Sequence, residues 1–383
     1  MRLPTEAQLS LEQREVCYAP IDGTMLVSGP PGSGKTIVAL FRAKMLESNG
    51  DRVQAVMYNK VLARYVGDHH PFLTWIARWW FETVARRFPL GPTRKRYDLD
   101  FDRARELLED KAVRDKVRRR GHWGHLILDE AQDFAPAAHR LLWCVQNAVF
   151  SDVPAEERPT LLILADENQR ITESNSTIAQ IREAHMLTRD EVYQLRKNYR
   201  NTREIAAFAA NFYADLPSGV PDLPKRRGDL PKVHVTADIR DAAQRIARHV
   251  RLHDDHEVGV LVQYDRLRGQ FFDALKRVTR GTRIQTYSSK DEAHQNPEDL
   301  TFGTPGITVL SFNSAKGLEF DAVFLPELQK LRLDPLNTDA VKMTLYVMTS
   351  RARTTLNLLI TDPNRAAGFW NLLPPNGDSY HLE

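Results

Sequence analysis

Short apolar runs alternate along the chain with longer segments in which apolar residues recur at helical spacing. Such runs, bounded by turn residues, are typical of buried parallel strands, and the segments between them are typical of covering helices. The clearest unit is a strand at residues 24–28, a glycine-rich turn, a helix that ends near Asn49-Gly50, and a second strand at residues 53–58. The pattern predicts an α/β fold of parallel sheets flanked by helices.

The remaining predicted strands fall into two groups separated by a stretch rich in proline and glycine, Tyr213 to Lys232. The first group adds strands at residues 126–128 and 161–164, and the second contains strands at residues 258–262, 307–310, 322–325 and 356–360. We therefore expect two domains. Residues 1–195 form the first, with a small helical insertion around residues 76–122, and residues 196–383 form the second, with a Pro-rich loop at residues 217–232.

The amino-acid composition mainly excludes some classes of protein. The 383 residues carry 53 Lys and Arg against 50 Asp and Glu, so any nucleic-acid site must be a local patch rather than the whole surface. The basic run from Lys111 to Arg120 fits either a solvated helix face or a phosphate-contacting surface. Two cysteines are too few for a disulfide framework. The sequence shows no apolar signal core or membrane-spanning run, so we expect a cytoplasmic protein without a membrane partner.

The segment GPPGSGKT, from Gly29 to Thr36, fits the phosphate-loop pattern G-x-x-x-x-G-K-[ST] between a strand and a helix. Glycines let the backbone approach a phosphate closely, and the free N–H groups of the helix N-terminus attract its charge. The lysine can reach the β and γ phosphates, and the threonine hydroxyl can hold Mg²⁺. The predicted phosphate-binding residues are Gly29, Gly32, Ser33, Gly34, Lys35 and Thr36.

A second apolar strand ends in two acids, Asp129 and Glu130, at the carboxyl edge where the phosphate loop also lies. Transfer of a γ-phosphoryl group to water requires a metal, positioning and a proton acceptor. We therefore expect Asp129 to bind Mg²⁺ together with Thr36, and Glu130 to take the proton from the attacking water. The two signals together predict nucleotide hydrolysis.

Five motifs in order resemble the UvrD/Rep-like branch of superfamily 1 DNA helicases. They are Gly29 to Thr36, Asp129 to Asp133, Asn198 to Arg200, Lys316 to Phe320 and Tyr346 to Ala352. The resemblance implies two tandem RecA-like domains with an ATP cleft between them, ATP and Mg²⁺ as cofactors, and steps along single-stranded DNA toward its 5′ end.

The same resemblance implies roles for individual residues. Gln13 would read the adenine edge, Tyr199 would stack on adenine, and Gly317 and Glu319 would lie at the nucleotide, with Glu319 at the ribose. Gln169, Arg200 and Arg351 would contact the γ-phosphate, and the arginine charges would offset what builds up in the transition state. The implied DNA contacts are Tyr58, Asn59, Lys60, Thr74, Trp75, Ser311 and Asn313, because aromatic rings stack on any base and polar groups bind phosphate.

The chain is short for such a protein. Only 94 residues separate Lys35 from Asp129, and 116 separate Arg200 from Lys316. Larger relatives insert an accessory subdomain into each interval, so this chain resembles a compact form. Base stacking directly after Gln169 is not expected, because Arg170-Ile171 replaces the usual aromatic pair.

The sequence thus predicts a DNA-dependent ATPase motor and 3′–5′ helicase. The alternative is an ATP-gated regulatory or DNA-binding subunit of a larger complex, for example with a nuclease in DNA repair or phage defence. RNA is the alternative substrate, because stacking and phosphate contacts do not test for the 2′-hydroxyl.

Overall fold

The computed structural model describes residues 5–57, 59–67, 73–75, 100–166, 175–214, 220–331 and 338–383. These residues fall into two compact units. The N-terminal unit comprises residues 5–30 and 34–196, and the C-terminal unit comprises residues 31–33 and 197–383. Each unit contains its own sheet.

The N-terminal unit is built on a six-stranded sheet of order β3-β2-β4-β5-β1-β6, with every pairing parallel. Its strands are β1 (Thr24–Ser28), β2 (Val53–Met57), β3 (Leu73–Trp75), β4 (His125–Asp129), β5 (Thr160–Ala165) and β6 (Val192–Gln194). Its helices are α1 (Leu11–Tyr18), α2 (Lys35–Ser48), α3 (Lys60–Gly67), α4 (Phe101–Leu107), α5 (Lys111–Gly121), α6 (Pro136–Cys144) and α7 (Ile178–Ala184).

Alternate side chains of this sheet fill two hydrophobic clusters, because successive strand residues point to opposite faces. Leu26 packs in one cluster with Trp123, and its neighbour Val27 packs in the other with Val38 of α2. Strands buried on both faces read as continuous apolar runs, which is why the central strands were predictable. The parallel order places the carboxyl ends of β1, β5 and β4 side by side at one edge.

The C-terminal unit is built on a seven-stranded sheet of order β13-β7-β12-β11-β8-β10-β9, again with parallel pairings. Its strands are β7 (Lys232–Val235), β8 (Glu257–Val262), β9 (Ile284–Tyr287), β10 (Gly306–Ser311), β11 (Phe320–Leu325), β12 (Ala352–Ile360) and β13 (His381–Leu382). Its helices are α8 (Arg203–Ala210), α9 (Ile239–Leu252), α10 (Asp265–Val278), α11 (Phe312–Ala315), α12 (Thr338–Thr349) and α13 (Ala367–Trp370).

The predicted fold class is confirmed: two parallel sheets flanked by helices form a mixed α/β architecture, consistent with two RecA-like domains. Each predicted strand coincides with an observed one. The predicted residue boundaries of the two domains stay a prediction. Within the predicted insertion at 76–122, residues 101–121 form α4 and α5, and residues 76–99 lie outside the described residues. The predicted loop at 217–232 is described from residue 220, and its end is the first residue of β7.

Among the described helices, none combines the length and apolar character needed to cross a bilayer. The expected cytoplasmic location stays a prediction.

Candidate nucleotide site

The glycine-rich segment connects the end of β1 to the start of α2. Gly32 and Gly34 have φ angles of 80° and 88°, in the left-handed region that residues with a side chain rarely adopt. A Cβ atom at position 34 would also collide with the side chain of Gln13. The glycines therefore allow a turn that presents the N-terminus of α2 to an anion.

Lys35, the first residue of α2, is buried, with 6% of its surface exposed. Its Nζ atom donates to the carbonyls of Gly29 (2.7 Å) and Pro30 (3.1 Å) and lies 3.4 Å from Oδ2 of Asp166. Asp166 directly follows β5, so the ammonium group lies beside the carboxyl end of the central strand. Carbonyl oxygens that hold this ammonium inside its own loop place it where phosphate oxygens would bind.

Thr36 and Asp129 bring a hydroxyl and a carboxylate together. Thr36 Oγ1 donates to Oδ2 of Asp129 at 2.6 Å, and Asp129 is the last residue of β4. Burial and the neighbouring charge of Glu130 raise the pKa of Asp129 to about 6, against the opposing effects of the Thr36 hydrogen bond and the Lys35 charge. Hydroxyl and carboxylate oxygens are ligands that Mg²⁺ prefers, so this pair fits the predicted metal site.

Glu130 adopts a left-handed backbone conformation, with φ 54°, immediately after β4. A non-glycine residue in this region stores about 1 kcal/mol of strain, which commonly marks a functional site. Nε2 of Gln132 donates to Oε2 of Glu130 at 2.5 Å, and Oε1 of Gln132 accepts from the Asp166 N–H at 2.9 Å. The sequence analysis did not identify Gln132 and Asp166 as site residues, although Gln132 lies inside the motif from Asp129 to Asp133 and Asp166 lies three residues before Gln169.

Gln13 lies in α1 with only 5% of its surface exposed, against Gly34 of the phosphate loop. Ser10 caps this helix: its Oγ accepts from the Gln13 N–H at 3.3 Å, and Oε1 of Gln13 accepts from the Ser10 N–H at 3.0 Å. The predicted adenine-reading residue is therefore adjacent to the loop, with its side-chain carbonyl used in the cap.

Arg42 of α2 holds α1 in place, and no sequence motif identifies this role. Its guanidinium is buried and donates to four backbone carbonyls at the end of α1 and just after it. The acceptors are Val16 (2.9 Å), Cys17 (3.2 Å), Ala19 (2.9 Å) and Pro20 (2.6 Å). Helices α1 and α2 are thereby held together.

In the C-terminal unit, Arg200 and Glu319 form an ion pair, with 2.7 Å between Nε and Oε2. The other carboxylate oxygen, Oε1, accepts from Nη2 of Arg353 at 2.5 Å. Burial raises the pKa of Glu319, but the Arg200 and Arg353 charges and hydrogen bonds outweigh it and bring the pKa to about 2. Both carboxylate oxygens of Glu319, the residue predicted to hold the ribose, thus contact arginine side chains in this structure. Arg353 was not predicted. A usable signal was present in the sequence, because Arg351 and Arg353 stand two residues apart in one segment, and Glu319 and Asp321 stand two residues apart in another.

Arg351 is 1% exposed and donates from Nε to the Val347 carbonyl (3.0 Å) and from Nη1 to the Leu318 carbonyl (3.3 Å). Gly317 has φ 82°. Tyr199 is 46% exposed, and its N–H donates to the carbonyl of Gly32 at 2.9 Å, within the same compact unit. Its stacking on adenine stays a prediction.

The predicted nucleic-acid contacts are only partly described. Asn59 Oδ1 accepts from the Val61 N–H at 2.8 Å at the start of α3, whose first residue is Lys60. Ser311 ends β10, and its Oγ donates to Oγ of Ser314 at 3.1 Å, while Asn313 is exposed in α11. The backbone of Thr74 and Trp75 lies in edge strand β3, paired with β2. The side chains of Thr74 and Trp75 and the residues Tyr58 and Gln169 lie outside the described residues.

The basic run in α5 is partly neutralised. Arg118 pairs with Asp152 at 2.5 Å, and Arg114 donates to the Leu108 carbonyl at 2.7 Å. Both arginines are engaged within the protein, whereas Lys111 and Lys116 are exposed. The solvated-face interpretation therefore accounts for part of this run.

The parallel α/β sheet, the phosphate loop and the buried acid pair at one strand edge define the class of P-loop nucleotide hydrolases. Residues 23–286, more than two thirds of the chain, match the family model described as "Schlafen group 3, DNA/RNA helicase domain", and residues 306–359 match the "UvrD-like helicase C-terminal domain". The chain belongs to the Schlafen group 3 DNA/RNA helicase domain family, and its class is that of a nucleotide-hydrolysing helicase. The predicted UvrD-like resemblance is confirmed.

Among solved structures, the chain is similar to the crystal structure of the C-terminal domain of a possible DNA helicase from Lactobacillus plantarum WCFS1, at 24% identity and a TM-score of 0.34. The alignment covers 48% of this chain and 98% of that one. No curated protein matches the chain. The assignment therefore rests on the two family models.

Proposed function

We propose that this chain is a DNA-dependent ATPase that translocates on single-stranded DNA and acts as a 3′–5′ helicase of superfamily 1. The observation that carries the proposal is the contact of Thr36 with the buried Asp129, beside the buried Lys35 and Glu130. A metal-binding oxygen pair, a phosphate-binding ammonium and an adjacent carboxylate are the groups that phosphoryl transfer to water requires. The match of residues 306–359 to the UvrD-like helicase C-terminal domain supports the proposed motor function.

The roles of the residues follow from their chemistry. Thr36 and Asp129 would hold Mg²⁺, which supplies Lewis-acid polarisation of the phosphate oxygens when bound. The phosphate-loop backbone and Lys35 bind the phosphates, and the ammonium offsets their charge. Glu130 accepts the proton of the attacking water on its carboxylate.

Further roles rest on the motif order. Arg200 and Arg351 offset the charge that develops on the γ-phosphoryl group, Gln169 senses it, and Gln13 and Tyr199 hold the adenine. A nucleotide bound more tightly by one arrangement of the two units than by another converts hydrolysis into motion along the strand. Ser311, Asn313, Asn59 and Lys60, with Tyr58, Thr74 and Trp75, are the proposed strand contacts.

The first test is ATP turnover by purified protein without nucleic acid, with single-stranded DNA and with matched single-stranded RNA. We expect strong stimulation by DNA, and loss of turnover in Lys35→Ala and in Glu130→Gln. Lys44→Ala is the matched control, because Lys44 lies exposed on the same helix. Equal turnover with and without either nucleic acid would overturn the motor proposal, and preferential stimulation by RNA would reassign its substrate.

The second test addresses unwinding and the competing proposal of an ATP-gated subunit. Displacement assays with 3′-tailed and 5′-tailed duplexes report polarity and strand separation together. Release of only the 3′-tailed strand supports the proposed polarity. If a nuclease or other partner assembles normally and functions with Glu130→Gln but not with Lys35→Ala, nucleotide binding rather than hydrolysis carries the function.

A further inference from the structure

Gln132 lies inside the motif from Asp129 to Asp133, but the resemblance implies no role for it. It follows Glu130 by two residues, within a short 3-10 turn from Ala131 to Asp133, and it is fully buried. Both ends of its side-chain amide are used: Nε2 donates to Glu130 Oε2 at 2.5 Å, and Oε1 accepts from the Asp166 N–H at 2.9 Å. An amide is the side chain that can serve a carboxylate and an N–H group at once.

The second residue of this arrangement connects it to the phosphate loop. Asp166 receives the Gln132 contact at its backbone, and its carboxylate lies 3.4 Å from Nζ of Lys35. The path from ammonium to base therefore runs Lys35, Asp166, Gln132, Glu130. All four residues are at most 6% exposed, and hydrogen bonds are electrostatically stronger in such surroundings than in water.

The main chain of the same turn is held as well. The Ser176 N–H donates to the Gln132 carbonyl at 2.9 Å, and Nε2 of His139 lies 3.0 Å from the Ala131 carbonyl. Burial lowers the pKa of His139 to about 4, so its ring is neutral at pH 7 and serves as a donor to that carbonyl. The Gln132 backbone is thereby fixed, which leaves its amide a defined direction.

We infer that Gln132 is a positioning residue: it orients the Glu130 carboxylate toward the attacking water and ties that orientation, through Asp166, to the phosphate-binding lysine. The inference rests on the proposed ATP hydrolysis and deepens it. A glutamate whose backbone is strained and whose side chain is rotatable needs an external donor to hold one orientation. Gln132 supplies that donor.

Gln132→Glu tests the inference with little change of shape. One carboxylate oxygen still accepts from the Asp166 N–H, but the other has no hydrogen atom to donate and repels the Glu130 carboxylate. We expect the kcat of ATP turnover to fall about tenfold or more, with the KM for ATP within about twofold. Gln132→Ala also removes the donor, and it carries the test if Gln132→Glu does not fold.

Gln146→Glu is the matched control for a merely structural effect. Gln146 is also buried, with Oε1 accepting from Thr24 Oγ1 (2.8 Å) and Nε2 donating to the carbonyls of Gly23 (3.1 Å) and Pro159 (2.9 Å). These contacts lie at the starts of β1 and β5, the opposite edge from the acid pair. We expect this variant to lose thermal stability and to keep the wild-type kcat and KM for ATP.

The outcomes separate this inference from the proposed function. If the wild type hydrolyses ATP and Gln132→Glu keeps the wild-type kcat, the positioning role is wrong and the ATPase stands. The role is also wrong if Gln132→Glu and Gln146→Glu lose turnover equally. A wild type that does not hydrolyse ATP overturns the proposed function itself.

Discussion

Nε of Arg200 lies 2.7 Å from Oε2 of Glu319, so the proposed γ-phosphate arginine has a fixed acidic partner in the C-terminal unit. The contact uses one edge of the guanidinium. Nη1 of Arg200 is buried and has no hydrogen-bond partner within the part of the chain that the structure describes. A buried donor in this state is costly, and a phosphate oxygen would relieve that cost.

Replacement of Glu319 by glutamine should change how stability depends on pH. The pKa of Glu319 is lowered from 4.5 to about 2, so the unfolded chain takes up this proton first as the pH falls. The wild type should therefore lose about 3 kcal/mol of unfolding free energy between about pH 5 and pH 2 that Glu319→Gln does not lose. Urea unfolding across that range measures the difference. Glu106→Gln, which breaks an exposed pair with Arg103, should leave the curve unchanged.

Asp129 should show the opposite sign. Its pKa is raised from 3.8 to about 6, so the unfolded chain releases this proton first as the pH rises. In the metal-free protein this contribution to stability is present below about pH 4 and is lost as the pH rises through about 6. Asp129→Asn should therefore match the wild type at pH 4, exceed it at pH 7 and lack ATP turnover.

Glu130→Gln provides the internal comparison for that experiment. It removes the Glu130 charge, the second cause of the raised pKa of Asp129, and should give an intermediate pH dependence. An Asp129→Asn protein less stable than the wild type at both pH values would contradict the assigned shift.

Gly34→Ala should weaken nucleotide binding by a steric route. Gly34 and Gly50 both have positive φ, at 88° and 90°, so an alanine at either position costs about 1 kcal/mol of backbone strain. Only at position 34 would the new Cβ displace a neighbour, the side chain of Gln13, whereas position 50 is open. Titration with a fluorescent ATP analogue should show weakened binding for Gly34→Ala and wild-type affinity for Gly50→Ala. Equal affinities would refute the packing of Gln13 on the loop.

Arg42→Lys should lower stability and loosen α1 together. Lysine cannot satisfy four carbonyls in a planar arrangement, so at least one buried acceptor is lost, at a cost of about 2 kcal/mol. Arg52→Lys is the control, because Arg52 donates to the exposed His122 carbonyl. It should stay within about 0.5 kcal/mol of the wild type. If Arg42→Lys unfolds at the wild-type denaturant concentration, the buried arginine does not hold α1.

The sequence predicted the central strands well and the edge strands poorly, for a physical reason. A strand covered on both faces needs apolar residues throughout, as in β5, where all six residues are buried. The edge strand β6 has three residues. Strand β7, which pairs with the two-residue edge strand β13, reads Lys-Val-His-Val directly after Pro231, so neither β6 nor β7 gives a continuous apolar signal. Lys232, the last residue of the stretch rich in proline and glycine, is the first residue of β7.

Some residues of the candidate site were also predictable from the sequence, and others were not. The phosphate loop and the acid pair were predictable because each is contiguous in sequence and its chemistry demands particular residue types. The partners of these groups were not, because contacts such as Lys35 with Asp166 and Glu319 with Arg353 join residues far apart in the chain. Glu319 is an example. The motif resemblance identified its carboxylate, but only the folded structure showed that Arg200 and Arg353 both bind it.

The four acceptors of Arg42 are all main-chain oxygens, and this bears on how the sequence of α1 can evolve. Every residue has a carbonyl, so mutations at Val16, Cys17, Ala19 or Pro20 leave the acceptors themselves intact as long as the backbone path is kept. The contacts of one arginine therefore tolerate side-chain changes at all four positions. The sequence around α1 can diverge widely among related proteins while Gln13 stays against the phosphate loop.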